Sequence, residues 1–346
     1  MLNLPLPHRF HSIKQPVESL DQLQRAALEN FREKLANGAY EFESAQCVCG
    51  ERDGILIASR DRYALEVQTY LCKNCATMWT NPRMTSGSLG KFYSEDYRPI
   101  YVGQIQAPDT FFYDQVAHGR VILRFVEIHM PAPPLTIFDV GCGAGGVLLP
   151  FAHAGWHGFG CDLGHEYLQR GRSAGLVLEQ GEAEVLAQYG SADLVILSHV
   201  LEHLPDPLSS LQRLSSLLKD RGFIYVELPG IFNIHRAYKD TMLFLQNAHL
   251  YHFTLTTLTS LMARAGFRLI QGDEFIHALF QRTDQALPVI DTSQQTRKLV
   301  AYLQMVEVLR RSRVLHLQEG ALRLASRAAR SMLGNHAVDR LMGRSS

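Results

Sequence analysis

Apolar residues recur at helical spacing over 18–37, where Leu20, Leu23, Ala27, Phe31 and Leu35 share a face and Asn37-Gly38 supplies a stop. A second helical stretch runs from about 111 to 128, and Pro131, Pro133 and Pro134 close it off. From 135 the pattern changes. Short β-branched runs at 135–140, 157–162, 176–180, 194–198, 223–228, 268–275 and 277–281 alternate with amphipathic stretches at 146–154, 165–174, 207–219 and 256–265. Strands alternating with helices predict an α/β fold with a doubly wound, mostly parallel sheet, here of seven strands. The last two runs leave no room for a crossover, so they predict a closing antiparallel hairpin. Residues 295–333 are helical again, with Leu299, Leu303, Val306 and Leu309 on one face.

The pattern divides the chain into five parts. An N-terminal helical segment (1–43) precedes a cysteine-bearing module (44–90) and an aromatic-rich lid and linker helix (91–134). The α/β domain (135–285) and a helical C-terminal extension (286–346) follow.

Charge sharpens this division. The 346 residues balance 34 Lys and Arg against 34 Asp and Glu, which excludes a chain-wide basic footprint for nucleic acid. Residues 291–346 nevertheless hold ten basic and four acidic side chains, so the extension is +6 and the rest −6. A basic amphipathic helix at 295–333 can pack or dimerise, dock on a protein partner, or lie on an anionic membrane. It lacks the aromatic interleaving that stacks bases. No apolar run suits a signal sequence or a membrane span, so a cytoplasmic protein is expected, with peripheral contact at the inner face of the membrane as an added reading.

Six cysteines are too few for a disulfide scaffold. Cys47-x-Cys49 and Cys72-x-x-Cys75 instead have the grouping of a closed, tetrahedral, structural zinc site, while Cys142 and Cys161 read as buried thiols. Four unligated thiols are the competing reading. The segment through Asn81-Pro82-Arg83-Met84 and Phe92-Tyr93 to Tyr97 resembles the zinc-binding module on some methyltransferases of sugar and surface-polysaccharide pathways. That resemblance implies that Tyr93, Tyr97 and Tyr101 form a lid; interface packing is the alternative.

The first strand of the α/β domain runs into Asp139-Val140-Gly141-Cys142-Gly143-Ala144-Gly145-Gly146, where glycines permit a tight turn and close approach of a cofactor. The second strand ends in Asp162, placed to accept hydrogen bonds from ribose hydroxyls. A dinucleotide fingerprint fits the glycines too, but an acid inside the strand and the closing hairpin favour a cationic cofactor. With Gly158-Phe159-Gly160-Cys161-Asp162, Gly181-Glu182-Ala183-Glu184 and 192–207, the stretch resembles the class I S-adenosylmethionine-dependent methyltransferases over roughly 135–282. The resemblance implies that Asp139, Gly141 and Gly143 hold the methionine part and Asp162 the ribose. Leu163, Glu182 and Ala183 would border the adenine, and Ser198 with His199 would lie near the sulfonium.

Acid–base groups cluster after the fourth strand, in His199, Glu202 and His203, and again at Asn247-Ala248-His249-Leu250-Tyr251-His252. One reading makes His249 or His199 a general base near neutral pH. Another rests on similarity to the Glu-x-x-Glu-His…His arrangement of metal-dependent O-methyltransferases, with His199 in place of the first glutamate, and has His199, Glu202, His203 and His249 or His252 bind a second divalent metal. A third has Glu202 and His203 anchor the turn. The resulting expectation is a methyltransferase acting on a sugar or related small-molecule hydroxyl, or a carbon, in a saccharide or natural-product pathway. The acceptor would be a saccharide or a lipid- or nucleotide-linked sugar, to which Glu227 and the apolar insertion 231–250 contribute. A zinc-module scaffold that binds cofactor or partner without turnover is the non-enzyme alternative.

Overall fold

The computed structural model describes residues 8–104, 107–292 and 294–312. Helix α1 (Arg9–Ser12) precedes α2 (Gln22–Ala36), which starts at a reciprocal cap: Gln24 N–H donates to Asp21 Oδ1 at 2.8 Å and Asp21 N–H to Gln24 Oε1 at 3.1 Å. The cysteine module holds the short strands β2 (Gly54–Arg60), β3 (Glu66–Cys72), β4 (Met78–Thr80) and β5 (Arg83–Met84), joined by β1 (Phe42–Glu43) from just before the expected boundary at 43/44. β1 pairs antiparallel with β5, and β2, β3 and β4 form a meander. Helices α3 (Ser86–Glu95), α4 (Tyr97–Tyr101) and α5 (Asp109–Val126) lead into the α/β domain. The expected division at 90/91 falls inside α3.

The central sheet contains β6 (Thr136–Val140), β7 (His157–Asp162), β8 (Val177–Gln180), β9 (Ala192–Ser198), β10 (Leu218–Glu227), β12 (Phe267–Gly272) and β13 (His277–Arg282), in the order β12-β13-β10-β9-β6-β7-β8. β13 runs antiparallel to both neighbours, as the hairpin required. Leu194, Val195, Ile196 and Leu197 of β9 are all fully buried, because helices cover both faces. Around the sheet lie α6 (Leu148–His153), α7 (His165–Ser173), α8 (Pro207–Ser216) and α11 (Leu255–Arg264). The polar run expected to end a helix at 219 belongs instead to β10. Its register shifts between Leu218 and Phe223, and Arg221 adopts a φ of 57° in the bulge.

Between β10 and α11 lie α9 (Ile234–Ala237), α10 (Thr241–Phe244) and β11 (Tyr251–His252). β11 leaves its own domain and pairs with β4, giving the module a four-stranded sheet in the order β11-β4-β3-β2. The module and the α/β domain are thus stitched through shared backbone.

The described part of the C-terminal extension, α12 (Gln295–Arg311), packs on its own chain. Leu299, Val300, Leu303 and Val306 are buried with Phe10, Ile57, Ile234 and Met242. Arg9 ties this cluster together, donating to Asp240 Oδ1 at 2.6 Å and to Glu307 Oε2 at 3.1 Å. Thr296 Oγ1 donates to the Cys72 carbonyl at 3.2 Å. The remainder of the basic segment expected at 295–333, from Arg313 onward, and Ser293 lie outside the described residues. Among the described residues, no helix is long and apolar enough to cross a membrane.

Helix α5 lies on the glycine-rich turn backbone to backbone: a Cβ on Gly119 would stand 2.4 Å from the Val147 carbonyl oxygen. Gly119→Ala is therefore expected to lower stability by about 1–3 kcal/mol, read by denaturant unfolding, since backbone cannot yield as a side chain would.

Candidate functional site

β6 delivers Asp139 and the turn after it to the carboxyl edge of the sheet, where open α/β sheets bind ligands. Gly141, Gly143 and Gly145 take φ of 72°, 57° and 75°, a region costly for any other residue. The Gly141 and Cys142 amides donate to the Cys161 carbonyl at 2.8 and 2.9 Å. Gln115 of α5 spans the turn, donating to the Cys142 carbonyl at 2.9 Å and accepting from Gly146 N–H at 3.2 Å.

Asp139 is 2% exposed, and its Oδ2 has no donor. Burial, reinforced by the nearby Asp162, pushes its carboxyl up to about 8. A buried acid in that condition suits a bound cation. Asp162 accepts from Gly143 N–H at 2.9 Å on Oδ2, and from Gly164 N–H at 2.7 Å and Arg98 Nη2 at 3.2 Å on Oδ1. Leu163 and Glu182 are exposed at the rim, and Ala183 is half-buried. Their loops are joined by Gly181 N–H donating to the Asp162 carbonyl at 3.1 Å. These residues outline a cleft over the turn with the Asp162 carboxylate on one side. Ser198 is half-buried at the end of β9.

The histidines and acids converge next to that cleft. A Cβ on Gly141 would meet Val200 Cγ2 at 2.5 Å, so the turn after β9 abuts the glycine loop. His199 stands at a left-handed φ of 56° with its side chain 55% exposed. Its Nδ1 lies 3.6 Å from Glu202 Oε1 and its Nε2 3.7 Å from Glu227 Oε1. Burial opposes charging of His199, but Glu202 and then Glu227 outweigh it and raise its pKa above the ordinary value. Glu202 is 1% exposed, and neither carboxylate oxygen has a hydrogen-bond donor. Nε2 of His203 and Nε2 of His249 each stand 3.9 Å from Glu202 Oε1.

The His203 ring is fixed by its other nitrogen. Nδ1 lies 2.8 Å from the Ala248 carbonyl, which can only accept, so Nδ1 carries the proton and Nε2 presents a lone pair to Glu202. The Tyr93 hydroxyl, 2.8 Å from the same Nδ1, completes the support. Burial lowers the pKa of both His203 and His249, keeping their rings neutral; His249 is 4% exposed and also contacts Gln246. Glu202, His203 and His249 thus bring ligand atoms within 4.8 Å of one another. A buried carboxylate without donors between two neutral imidazoles matches a divalent-cation donor set.

Tyr97 stacks on Tyr101 at 4.9 Å, and Tyr93 and Tyr97 approach the His203 ring at 5.8 and 6.0 Å. Tyr101 hydrogen-bonds Asn247, two residues before His249.

The four module cysteines also meet. Their sulfurs lie within 4.8 Å of one another, with Cys47 to Cys75 at 3.4 Å and Cys49 to Cys72 at 3.6 Å. Sulfurs ~2.3 Å from a tetrahedral zinc would be ~3.8 Å apart, so the spacing fits such an ion and is far too long for a disulfide bond. Gly50 (φ 91°) and Ala76 (φ 64°) turn the two knuckles despite the short Cys47-x-Cys49 spacing. Arg264 of α11 donates to the Val48 carbonyl at 2.6 Å.

His118 was absent from the sequence expectations. Its Nε2 lies 2.8 Å from Glu227 Oε2, Tyr225 OH donates to the same oxygen at 3.1 Å, and His277 Nε2 is 3.7 Å from Oε1. Burial would raise the Glu227 carboxyl, but His118 and the other imidazoles bring it below the ordinary value. No motif flags His118. The available signal was its place one helical turn beyond Gln115 on the helix that covers the glycine loop.

Residues 113–272 match the family model described as a methyltransferase domain. A ubiquinone biosynthesis O-methyltransferase of Methylococcus capsulatus is 33% identical over 111 residues, 30% of this chain and 47% of the relative. That of Colwellia psychrerythraea is 34% identical over 138 residues, 38% and 54% of the two chains. The chain spans about half the length of the curated relatives it matches. Among solved structures, the Burkholderia thailandensis 1,6-didemethyltoxoflavin-N1-methyltransferase is 17% identical, covers 63% of this chain and 96% of its own, and has a TM-score of 0.44.

The raised pKa of Asp139 sets a pH dependence for the ligand-free chain. A group at about 8 when folded and ~3.9 when unfolded gives its full contribution below ~3.9 and loses it as pH rises through 8. Relative to Asp139→Asn, the native chain is expected to lose thermal stability steadily from pH 5 to 8. Parallel melting curves at several pH values test this; equal slopes for both proteins would refute it.

Proposed function

We propose that the chain is an S-adenosylmethionine-dependent methyltransferase that methylates a hydroxyl of a small acceptor, with a divalent ion at Glu202, His203 and His249. The unsatisfied Glu202 carboxylate between two neutral imidazoles carries the metal part of this reading. The glycine turn, Asp139 and Asp162 support the cofactor part, together with the methyltransferase-domain match over 113–272. The matched relatives named above are O-methyltransferases, which favours oxygen over carbon.

The cofactor, when bound, supplies the activated methyl group; this chain's residues must align the acceptor and remove its proton. Asp139 would face the cationic end of the cofactor and Asp162 its ribose. Ser198 and His199 close the cleft at the reacting end. His199, the one member of the histidine cluster open to the cleft, takes the acceptor proton, and Glu202 and Glu227 stabilise the charge it gains. A divalent ion on Glu202, His203 and His249 would lower the pKa of an acceptor hydroxyl beside it. Tyr93, Tyr97 and Tyr101 wall the acceptor side and limit entry of water.

The cysteine cluster is read as a structural zinc site. Cys72 and Cys75 flank the knuckle beside β4, and α11 and α12 hold it through Arg264 and Thr296. A saccharide remains the proposed acceptor because of the module's resemblance; the match at 113–272 leaves the module outside it.

Methyl-labelled cofactor offered with nucleotide sugars and phenols is expected to label an acceptor, and Glu202→Gln to abolish transfer while cofactor affinity by calorimetry persists. Transfer undiminished in Glu202→Gln would dismiss the metal; absence of transfer to every acceptor, with cofactor affinity intact, would favour a non-catalytic scaffold. Metal analysis should find about one zinc per chain retained in Glu202→Gln and lost in Cys72→Ser, with a lower melting temperature in the latter.

A further inference from the structure

Arg98 stands where the cofactor's ribose is expected to bind. Its helix, α4, carries Tyr97 and Tyr101 of the proposed lid, and its guanidinium donates to Asp162 Oδ1 at 3.2 Å while its Cζ lies over the Tyr167 ring, 3.4 Å from the centroid. The position is closely fitted: a Cβ on Gly164 would stand 2.9 Å from Arg98 Nη2. On the acceptor side of the same helix, Tyr97 faces His203 and Tyr101 bonds Asn247.

A count of lone pairs shows the conflict. Each carboxylate oxygen accepts about two hydrogen bonds. Asp162 Oδ2 holds only the Gly143 N–H, so it has room for one ribose hydroxyl. Oδ1 already holds the Gly164 N–H and Arg98. The Gly164 donor is backbone within the turn and cannot leave. A vicinal diol that engages both oxygens must therefore displace Arg98.

We infer that Arg98 is a positioning residue that latches the lid to Asp162 in the ligand-free chain and is displaced by the cofactor's ribose hydroxyls. This rests on the cofactor reading above. Release of Arg98 frees α4, and with it Tyr97 and Tyr101, so the acceptor side opens after the cofactor has bound. The ribose acid thereby reports occupancy of one half of the cleft to the other half, and binding becomes ordered.

The experiment uses the full chain with S-adenosylhomocysteine as probe. Both latch partners are partly screened, with side chains 20% and 13% exposed, so Arg98→Ala is expected to tighten binding by only about two- to fivefold. The gain should recur with adenosine as a competing fragment and vanish with 2′,3′-dideoxyadenosine, which lacks the 2′ and 3′ hydroxyls that would seek Oδ1. In the native chain, S-adenosylhomocysteine should speed amide exchange over 97–101; in Arg98→Ala that segment should exchange fast with or without it. Arg98→Lys, which keeps the charge, should behave between the two, and melting curves confirm that both variants fold. Weaker or unchanged affinity in Arg98→Ala, or added protection of 97–101 on binding, would overturn the latch. Failure of the native chain to bind S-adenosylhomocysteine at all would instead overturn the cofactor reading.

Discussion

Two residues of antiparallel ladder hold the site together. Tyr251 pairs with Trp79 and His252 with Met78, while Thr80 N–H donates to the Leu250 carbonyl at 2.9 Å and Thr80 Oγ1 to the His249 carbonyl at 3.0 Å. His249 is therefore aimed by the cysteine module, although it lies within the α/β segment of the chain. A strand so short has little stability alone. It persists because β4 belongs to a meander and is entered directly from the cysteine knuckle at Cys72 and Cys75, where Thr296 of α12 bonds the Cys72 carbonyl, while Arg264 of α11 bonds the Val48 carbonyl of the other knuckle. The module acts as a jig for one imidazole.

Other contacts serve the same placement. Asp61, buried in the turn between β2 and β3, accepts the Asn247 N–H at 3.1 Å, and Arg62 reaches the Leu243 carbonyl at 3.1 Å and Gln246 Oε1 at 3.1 Å. The loop before His249 is thus gripped from the module at Asp61, Arg62 and Thr80. On the opposite side Tyr93 and the Ala248 carbonyl hold His203. The two rings converge on Glu202 because both are fixed by groups remote in sequence.

Charge explains why this construction is needed. Asp139, Glu202 and Glu227 are buried acids gathered along one sheet edge. Glu227 has imidazoles around it, whereas Asp139 Oδ2 and both oxygens of Glu202 lack donors. Unpaired buried acids are costly, which is the physical ground for the cationic ligands proposed above.

Much of this was legible in the residues themselves. The central sheet, its closing hairpin and the glycine turn follow from local periodicity, because a strand–helix alternation over 135–282 has few compact solutions. Cysteine spacing sufficed to group four thiols. The sequence could not show that β11 would desert its domain, since two residues carry no periodicity and their partner lies about 170 positions upstream. Nor could it reveal His118 beside Glu227, or Arg98 on Asp162, for both pairs meet only after α4 and α5 fold over the cleft. Local order was written in near-neighbour spacing; the choice of which histidine faces which acid came from long-range packing, where distance along the chain says nothing about distance in space.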